Sequence, residues 1–429
     1  MNSRHKSREC FVYIVLPGAT EFVAAGRYQL TSGRSGLPAG KFVYGKSYLA
    51  RAEAVPIDPI ALKLGTRTYE TSQLKGVFGA LRDASPDYWG RRVIEKHAGK
   101  TQFDEMDYLL YSPDDRAGAL GFGLNQVPPA PRRKFNRTLE LERLQALADA
   151  ILAEEDLPPH ADVEQIQDVM LEGTSMGGAR PKVVIEDNDE LWIAKFNRPD
   201  DKWNHARVEH AMLKLAHQCG VETVMSKLAT IGDRDALLIK RFDRERGGNG
   251  YFRARMLSAL TLLRAEDTHQ DRDKWSYVRL AEELRRISAQ PKQDAQELFR
   301  RMCFNALISN SDDHPRNHAV IAMDKDWTLS PAYDLTPSAP VSIERRDLAL
   351  VCGDYGRYAN AENLLSQCVR FLLKEDEAKQ IMDEMEKTVK AHWYDIARRE
   401  GVSEKDCEKI NGAFAYPGFR MKAPSVNTD

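Results

Sequence analysis

From Phe11 to about residue 130, apolar and polar positions alternate over short stretches broken by Gly, Ser and Pro. Phe11–Leu16 is an apolar, strand-like run, and Tyr28–Ser32 and Lys41–Tyr48 are short β-prone pieces. Val77–Ala80 reads as a turn, and Ser85–Gly99 as a helix stopped by Gly99. Pro128–Pro131 marks a break. Beyond it the period changes. Leu139, Leu141, Leu144, Leu147, Ile151 and Leu152 share a broad face of a helix over Thr138–Ala153. Val183–Glu186, a polar turn at Asp187–Glu190, and Leu191–Phe196 read as a β-hairpin. Asn204 is placed to cap a helix that starts at His205 and stops at Gly220. Ala236–Phe242 is a further apolar strand. From about Met256 onward the pattern is mainly helical, with Leu298–Leu307 leading into a polar loop and a short β-like run at Ala319–Ala322. Pro424–Asp429 reads as a loose tail.

A chain of 429 residues exceeds what one core holds, so at least two are expected. The segments group as 1–130, a β-rich N-terminal domain; 131–250, a core with a glycine loop, a strand lysine and a hinge; and 251–429, a helical domain. The 42% hydrophobic and 29% charged fractions are those of an ordinary globular protein. No apolar run approaches the roughly 18–20 residues of a membrane span. The early apolar stretch is soon broken by Pro17 and Gly18, so no leader, no membrane partner and a cytoplasmic location are expected. Cys10, Cys219, Cys303, Cys352, Cys368 and Cys407 form no CxxC pair and read as buried free thiols rather than as zinc ligands. A formal charge of −2 argues against coating nucleic acid by bulk electrostatics, while leaving DNA binding through a partner open. The basic run Arg132–Lys134 and the charged run Lys374–Lys379 read as solvated surface.

The chemistry starts in the polar loop Ser309–Asn317, SNSDDHPRN. Asp312 is followed five residues later by Asn317, and seventeen residues after that comes Asp334 in PAYDLTP. A phosphoryl-transfer site needs a carboxylate to orient the attacking hydroxyl and take its proton. It also needs an amide oxygen and a second carboxylate to hold magnesium against the phosphates. The Asp-x4-Asn spacing is that of protein-kinase catalytic loops. Upstream, strand alternation puts Lys195 on the same face as Leu191 and Ile193, where an anion such as an ATP phosphate would compensate it. Glu209 lies on the next helix, beside the inward positions Val208, Met212, Leu215 and Cys219, and could pair with that lysine. Gly177, Gly178 and Ala179 precede the hairpin, where backbone N–H groups could approach phosphates, and Lys182 could reach one too. Arg241, Phe242 and Asp243 stand where a nucleotide hinge would lie, with Phe242 against adenine and Asp243 accepting a ribose hydroxyl. His314 is a candidate phosphate contact or a loop-packing residue.

The segments SMGGARPK, KRFDR, SDDHPRN and PAYDLTP, with GVFGALRDASPDYWGRRVIE near the N-terminus, resemble those of HipA-family kinases. The resemblance implies an α+β, two-lobed kinase-like fold related to lipid kinases, with a β-rich N-terminal domain and a mainly helical C-lobe. It implies ATP and Mg2+ as cofactors, Asp312 as catalytic base, Asn317 and Asp334 as magnesium ligands, and Lys195 and Lys182 as nucleotide contacts. It also implies Ser175 as an autophosphorylated serine whose modification switches the kinase off by placing about two negative charges where phosphates bind. The implied partners are a HipB-like helix-turn-helix antitoxin, operator DNA reached mainly through it, and a protein substrate such as an aminoacyl-tRNA synthetase. Lys240, before RFD, departs from the acidic residue of some relatives, and the stretch between Lys195 and the Glu209 helix is short.

Each of these residues has a plainer reading. Asp312, Asn317 and Asp334 are common turn formers and caps, and Ser175 and the glycines suit a tight turn. Lys195 suits an edge strand and Glu209 a solvated pair with Lys214 or His205. His205, His210 and His217 lack the spacing of a metal pair. Three functions compete: a Ser/Thr protein kinase that inhibits growth, a kinase for a lipid or small molecule, and a catalytically silent corepressor scaffold.

Overall fold

The computed structural model describes residues 8–32, 37–98, 102–114, 116–153, 180–339 and 342–422. The chain divides into two compact units, each discontinuous in sequence. The first takes Met1–Arg198, Lys240–Leu257 and Ile321–Trp327; the second takes Pro199–Ile239, Ser258–Val320 and Thr328–Asp429. A division into contiguous segments, as drawn from the sequence, has no means of returning late segments to an early core.

The first unit opens with five antiparallel strands, β1 (Arg8–Val15), β2 (Phe22–Ser32), β3 (Pro38–Tyr44), β4 (Tyr69–Thr71) and β5 (Leu120–Gly123), in the order β4-β3-β2-β1-β5. β2 starts well before Tyr28. Its Ala24-Ala25-Gly26 stretch has little strand propensity, and pairing along the whole of β1 overrides it. β3 ends at Tyr44, and the expected strand end becomes a single helical turn, α1 (Lys46–Leu49). Tyr28, Tyr44 and Tyr48 are buried because each hydroxyl donates to a backbone carbonyl, of Gly76, Leu62 and Val55, at 2.7, 2.5 and 2.7 Å. Gly40 has no room for a side chain, since a Cβ there would stand 1.7 Å from the carbonyl oxygen of Gly76.

Helices α2 (Gly79–Asp83), α3 (Tyr88–Ala98) and α4 (Glu105–Tyr111) follow. The expected turn at Val77–Ala80 runs into α2, and α3 begins only at Tyr88, after Pro86 and with Asp87 Oδ1 accepting from the Gly90 N–H at 2.8 Å. The amphipathic helix α5 (Leu141–Leu152) buries Leu141, Leu144, Leu147 and Ile151. Leu139 does not join that face. It sits on a 3-10 turn and is 94% exposed. β6 (Asn136–Arg137) runs parallel to β7 (Lys182–Asp187), which pairs antiparallel with β8 (Glu190–Phe196). Asn188 and Asp189, both at positive φ, make the two-residue hairpin turn. Val184, Leu191 and Ile193 share one face of the hairpin and pack with Tyr251 and Phe135.

In the second unit, α6 (His205–Gln218) is capped by the Asn204 side chain, which accepts from the Arg207 N–H at 3.1 Å. A hairpin follows, β9 (Ser226–Ile231) with β10 (Arg234–Lys240). The helices α7 (Ala259–Leu262), α8 (Tyr277–Ile287), α9 (Pro291–Leu307), α10 (Ala361–Ser366), α11 (Glu375–Arg399) and α12 (Glu404–Ile410) complete it. Leu280, Leu284, Leu298, Phe299, Met302, Met382, Met385 and Val389 are buried side chains of its core. The expected helical character holds on both sides of residues 319–339 and 342–358, which form short strands, bridges and extended chain. All six cysteines are free thiols, five of them buried. No helix among the described residues is long and apolar enough to cross a membrane.

Candidate functional site

In the first unit the register of the hairpin sets Lys182 directly across from Lys195. Residues directly opposite on an antiparallel pair project to one face, and like charges there repel unless an anion intervenes. Asp87 supplies one: its Oδ2 accepts from Lys182 Nζ at 2.6 Å, with the two side chains 5% and 2% exposed. Lys195 is half-buried. Lys240 pairs with Glu190 across the edge of the hairpin, which accounts for a basic residue at that position. Ser175, Gly177, Gly178 and Ala179 lie outside the described residues.

The hinge expectation needs correction. Arg241 and Asp243 are part of the fold's interior and not a nucleotide edge. Asp243 is wholly buried; its carboxylate accepts from Arg241 Nε at 3.0 Å, from Arg244 at 2.8 Å and from the Gly118 N–H at 2.9 Å. Burial alone would lift this carboxyl's pKa, but the two guanidiniums overcome that and hold it well below the usual carboxylate range. Such a carboxylate, wholly buried against two guanidiniums, offers no exposed oxygen to a ribose hydroxyl. Arg241 also donates to the Arg116 carbonyl at 2.8 Å. Phe242, between them, is half-buried.

In the second unit, α9 ends at Leu307, and Ser309, at a φ of 54°, turns the chain into the polar loop. Ser309 Oγ donates to the Ala413 carbonyl at 2.6 Å, and Asn310 Nδ2 donates to Asn305 Oδ1 on α9 at 3.0 Å. The loop then presents Asp312 to solvent, while Asp313 is buried. A 3-10 turn, Pro315–Asn317, brings Asn317 back toward Asp312, with Asn317 Nδ2 3.5 Å from the Asp312 carbonyl. Asp334 sits at a φ of 59°, an uncommon conformation for a non-glycine residue, and Asn310 Nδ2 lies 3.4 Å from its carbonyl. Although Asp312 reaches solvent, the protein packed around it partly desolvates the carboxyl and raises its pKa; the negative charges of Asp334 and Asp313 add to this, and His314 and Arg272 oppose it. His314 is half-buried, and its Nδ1 is buried without a hydrogen-bond partner. Glu209 is buried on α6.

Asp312, Asn317 and Asp334 therefore belong to one unit and to one loop cluster. Exposed Asp312 is suited to take a proton. The amide oxygen of Asn317 and the carboxylate of Asp334 are hard oxygen donors of the kind magnesium takes, usually one or two from protein with phosphate and water completing the shell. Desolvation is the main cause of the raised Asp312 pKa, and the smaller part that comes from Asp334 and Asp313 is what a cation would relieve. No cluster of three or more His, Cys, Asp or Glu among the described residues would hold a metal by itself, and His210 is occupied instead by Ser226 Oγ at 2.9 Å and Glu400 at 3.3 Å.

Sequence reading missed the residues behind the loop. Asp313 Oδ2 accepts from the Tyr277 hydroxyl and from His318 Nε2, the latter at 2.8 Å, and Asn305 Nδ2 donates to the Tyr277 oxygen at 3.2 Å. The doubled Asp312-Asp313 was the one available signal, since two adjacent carboxylates rarely share one environment.

Comparison with known proteins matches this chain to two family models. Residues 174–393 match the HipA-like C-terminal domain, and residues 26–123 match the HipA N-terminal domain. Y4mE of Sinorhizobium fredii, a protein named as a proposed kinase, is 27% identical over 147 residues, 33% of each chain. That match thus spans a third of the curated relative. A chain of the Shewanella oneidensis MR-1 structure of HipA, HipB and operator DNA superposes with a TM-score of 0.67 at 16% identity, over 94% of both chains, and so shares the fold.

Proposed function

The chain belongs to the HipA family, and from that premise we propose that it is an ATP- and magnesium-dependent Ser/Thr protein kinase, the toxin of a toxin–antitoxin pair. The observation that carries this reading is the loop cluster: an exposed Asp312 beside the oxygen donors Asn317 and Asp334. Asp312 accepts the proton of an incoming serine or threonine hydroxyl. Asn317 and Asp334 would hold Mg2+, which neutralises phosphate charge when bound. Lys195, half-buried on the hairpin face opposite Lys182, bears positive charge suited to a nucleotide's phosphates, whereas the buried Lys182 ammonium is already taken by Asp87. Phosphorylation of Ser175 would add about two negative charges to the glycine segment and shut the kinase off.

The proposed partner is a HipB-like helix-turn-helix antitoxin, with operator DNA bound mainly through it, and the proposed target is a translation component such as an aminoacyl-tRNA synthetase. The similarity in fold to a chain of a HipA–HipB–DNA assembly supports the first of these. The test is transfer from γ-labelled ATP with magnesium, by wild type and Asp312→Asn, with mass spectrometry of residues 173–182. Label on Ser175 that vanishes in the variant is the expected result. No label and no magnesium-dependent ATP binding would overturn the reading.

A further inference from the structure

Behind the loop runs a single chain of buried side chains that the reaction itself does not use. Asn310 Nδ2 reaches the Asp334 carbonyl at 3.4 Å and donates to Asn305 Oδ1 at 3.0 Å. Asn305 Nδ2 donates to the Tyr277 oxygen at 3.2 Å; the Tyr277 hydroxyl donates to Asp313 Oδ2; and His318 Nε2 donates to the same oxygen at 2.8 Å. All five side chains are buried. The chain touches each predicted catalytic residue: it ends on the backbone of Asp334, Asp313 follows Asp312, and His318 follows Asn317.

A carboxylate held this deep is a poor way to gain stability, because well-packed apolar side chains at such sites often do as well or better. What a connected polar network gives is a unique geometry. Asn305 shows this best: its amide is used at both ends, accepting from Asn310 and donating to Tyr277, so its orientation is fixed. Asp313 Oδ1 and His318 Nδ1 are buried without hydrogen-bond partners, so Asp313 depends on the two bonds at Oδ2. The Tyr277 N–H is itself tied to the Val351 carbonyl at 3.0 Å, which anchors the network beyond the loop.

We infer that Asn305, Tyr277 and Asp313 are positioning residues that fix the spacing of the metal-binding oxygens of Asn317 and Asp334 relative to Asp312. This rests on the kinase reading. Outer partners of metal ligands commonly change affinity or activity about 10–100-fold when removed, and that is the effect expected here.

Tyr277→Phe is the sharpest variant. It keeps the ring and its edge-on contact with His318, centroids 5.5 Å apart, and removes only the hydroxyl. The probe is Mn2+ with a non-hydrolysable ATP analogue, free Mn2+ being read by electron paramagnetic resonance. Phosphotransfer over a range of Mg2+ concentrations and a thermal melt of the metal-free protein complete the set. The Mn2+ dissociation constant should rise about 10–100-fold. The Mg2+ midpoint should shift likewise, with turnover recovering as Mg2+ saturates, and the melt should not account for the change. Asp313→Asn should shift both in the same direction, and the double variant should be no worse than the more severe single one. Unchanged Mn2+ affinity, or an activity loss that excess metal does not restore and that follows the melting temperature, overturns the positioning role. So do additive effects. Wild type active, Asp312→Asn inactive and Tyr277→Phe like wild type would sink this inference alone. Absence of Mn2+–nucleotide binding by the wild type would sink the kinase reading and this inference with it.

Discussion

Asp312 and Asp313 are neighbours in the chain and opposites in environment. The first faces solvent beside an amide and another carboxylate, and the second is enclosed by Tyr277 and His318. Asp312→Asn should lower turnover by about 10²–10⁴-fold, the range for losing a general base, while leaving the melting temperature near that of the wild type. The Asp-x4-Asn spacing made Asp312 and Asn317 legible in the sequence. The burial of Asp313 was not, since it depends on a tyrosine 36 positions earlier. Asp243 gives the contrasting lesson. Its place after an apolar strand looked like a hinge, but Arg241 and Arg244 claim its carboxylate. Asp243→Asn leaves two buried guanidiniums short of a counter-charge and should destabilise the protein by about 3–5 kcal/mol in urea unfolding. Because this carboxyl's folded pKa is depressed, its contribution is present above the ordinary carboxylate pKa of about 4 and is lost as pH falls below it. Acid should therefore narrow the gap between wild type and variant. A gap constant from pH 7 to pH 3 would remove Asp243 as its source.

At the scale of elements, the sequence was clearest where local chemistry and tertiary packing agree. The β7/β8 hairpin has its turn at Asn188-Asp189 and its apolar residues on one face, as alternation requires. The Asn204 cap is likewise where it was expected, and it does a second thing no local pattern encodes. Its Nδ2 donates to Asp235 at 2.6 Å, and Asp235 also accepts from Arg207 at 2.7 and 3.0 Å. Asn204→Ala should cost about 1 kcal/mol for the lost cap, and more if the Asp235 bond counts. Asn204→Ser, which restores only the cap, separates the two in thermal melts. Where local and tertiary signals disagree, reading by period fails. Leu139 fits the helical stripe of α5 by count, yet the helix begins two residues later and leaves it in solvent.

Across the whole molecule, the charge and the fold assign separate tasks. On the proposed reading, a chain with a net charge of −2 should by itself retard duplex DNA weakly and with a shallow dependence on salt, with tight operator binding left to the proposed HipB-like partner. A steep salt slope for the chain alone in a gel-shift titration would move the DNA contacts onto it. What no linear reading conveyed is the interleaving of the two units, because it is a property of contacts and not of composition. That interleaving bears on synthesis. The first unit takes Lys240–Leu257 and Ile321–Trp327 besides its opening 198 residues. At about 5–20 residues per second, a ribosome needs roughly 6–26 s to pass from residue 198 to residue 327. Until then the first unit lacks part of itself, and by the time it has all its segments the loop bearing Asp312 and Asn317 has been made and Asp334 is only seven codons away. A nascent chain stalled before residue 327 thus has neither a complete first unit nor the Asp334 carboxylate, so on the proposed reading the first unit and the loop's set of oxygens are completed within seven residues of each other.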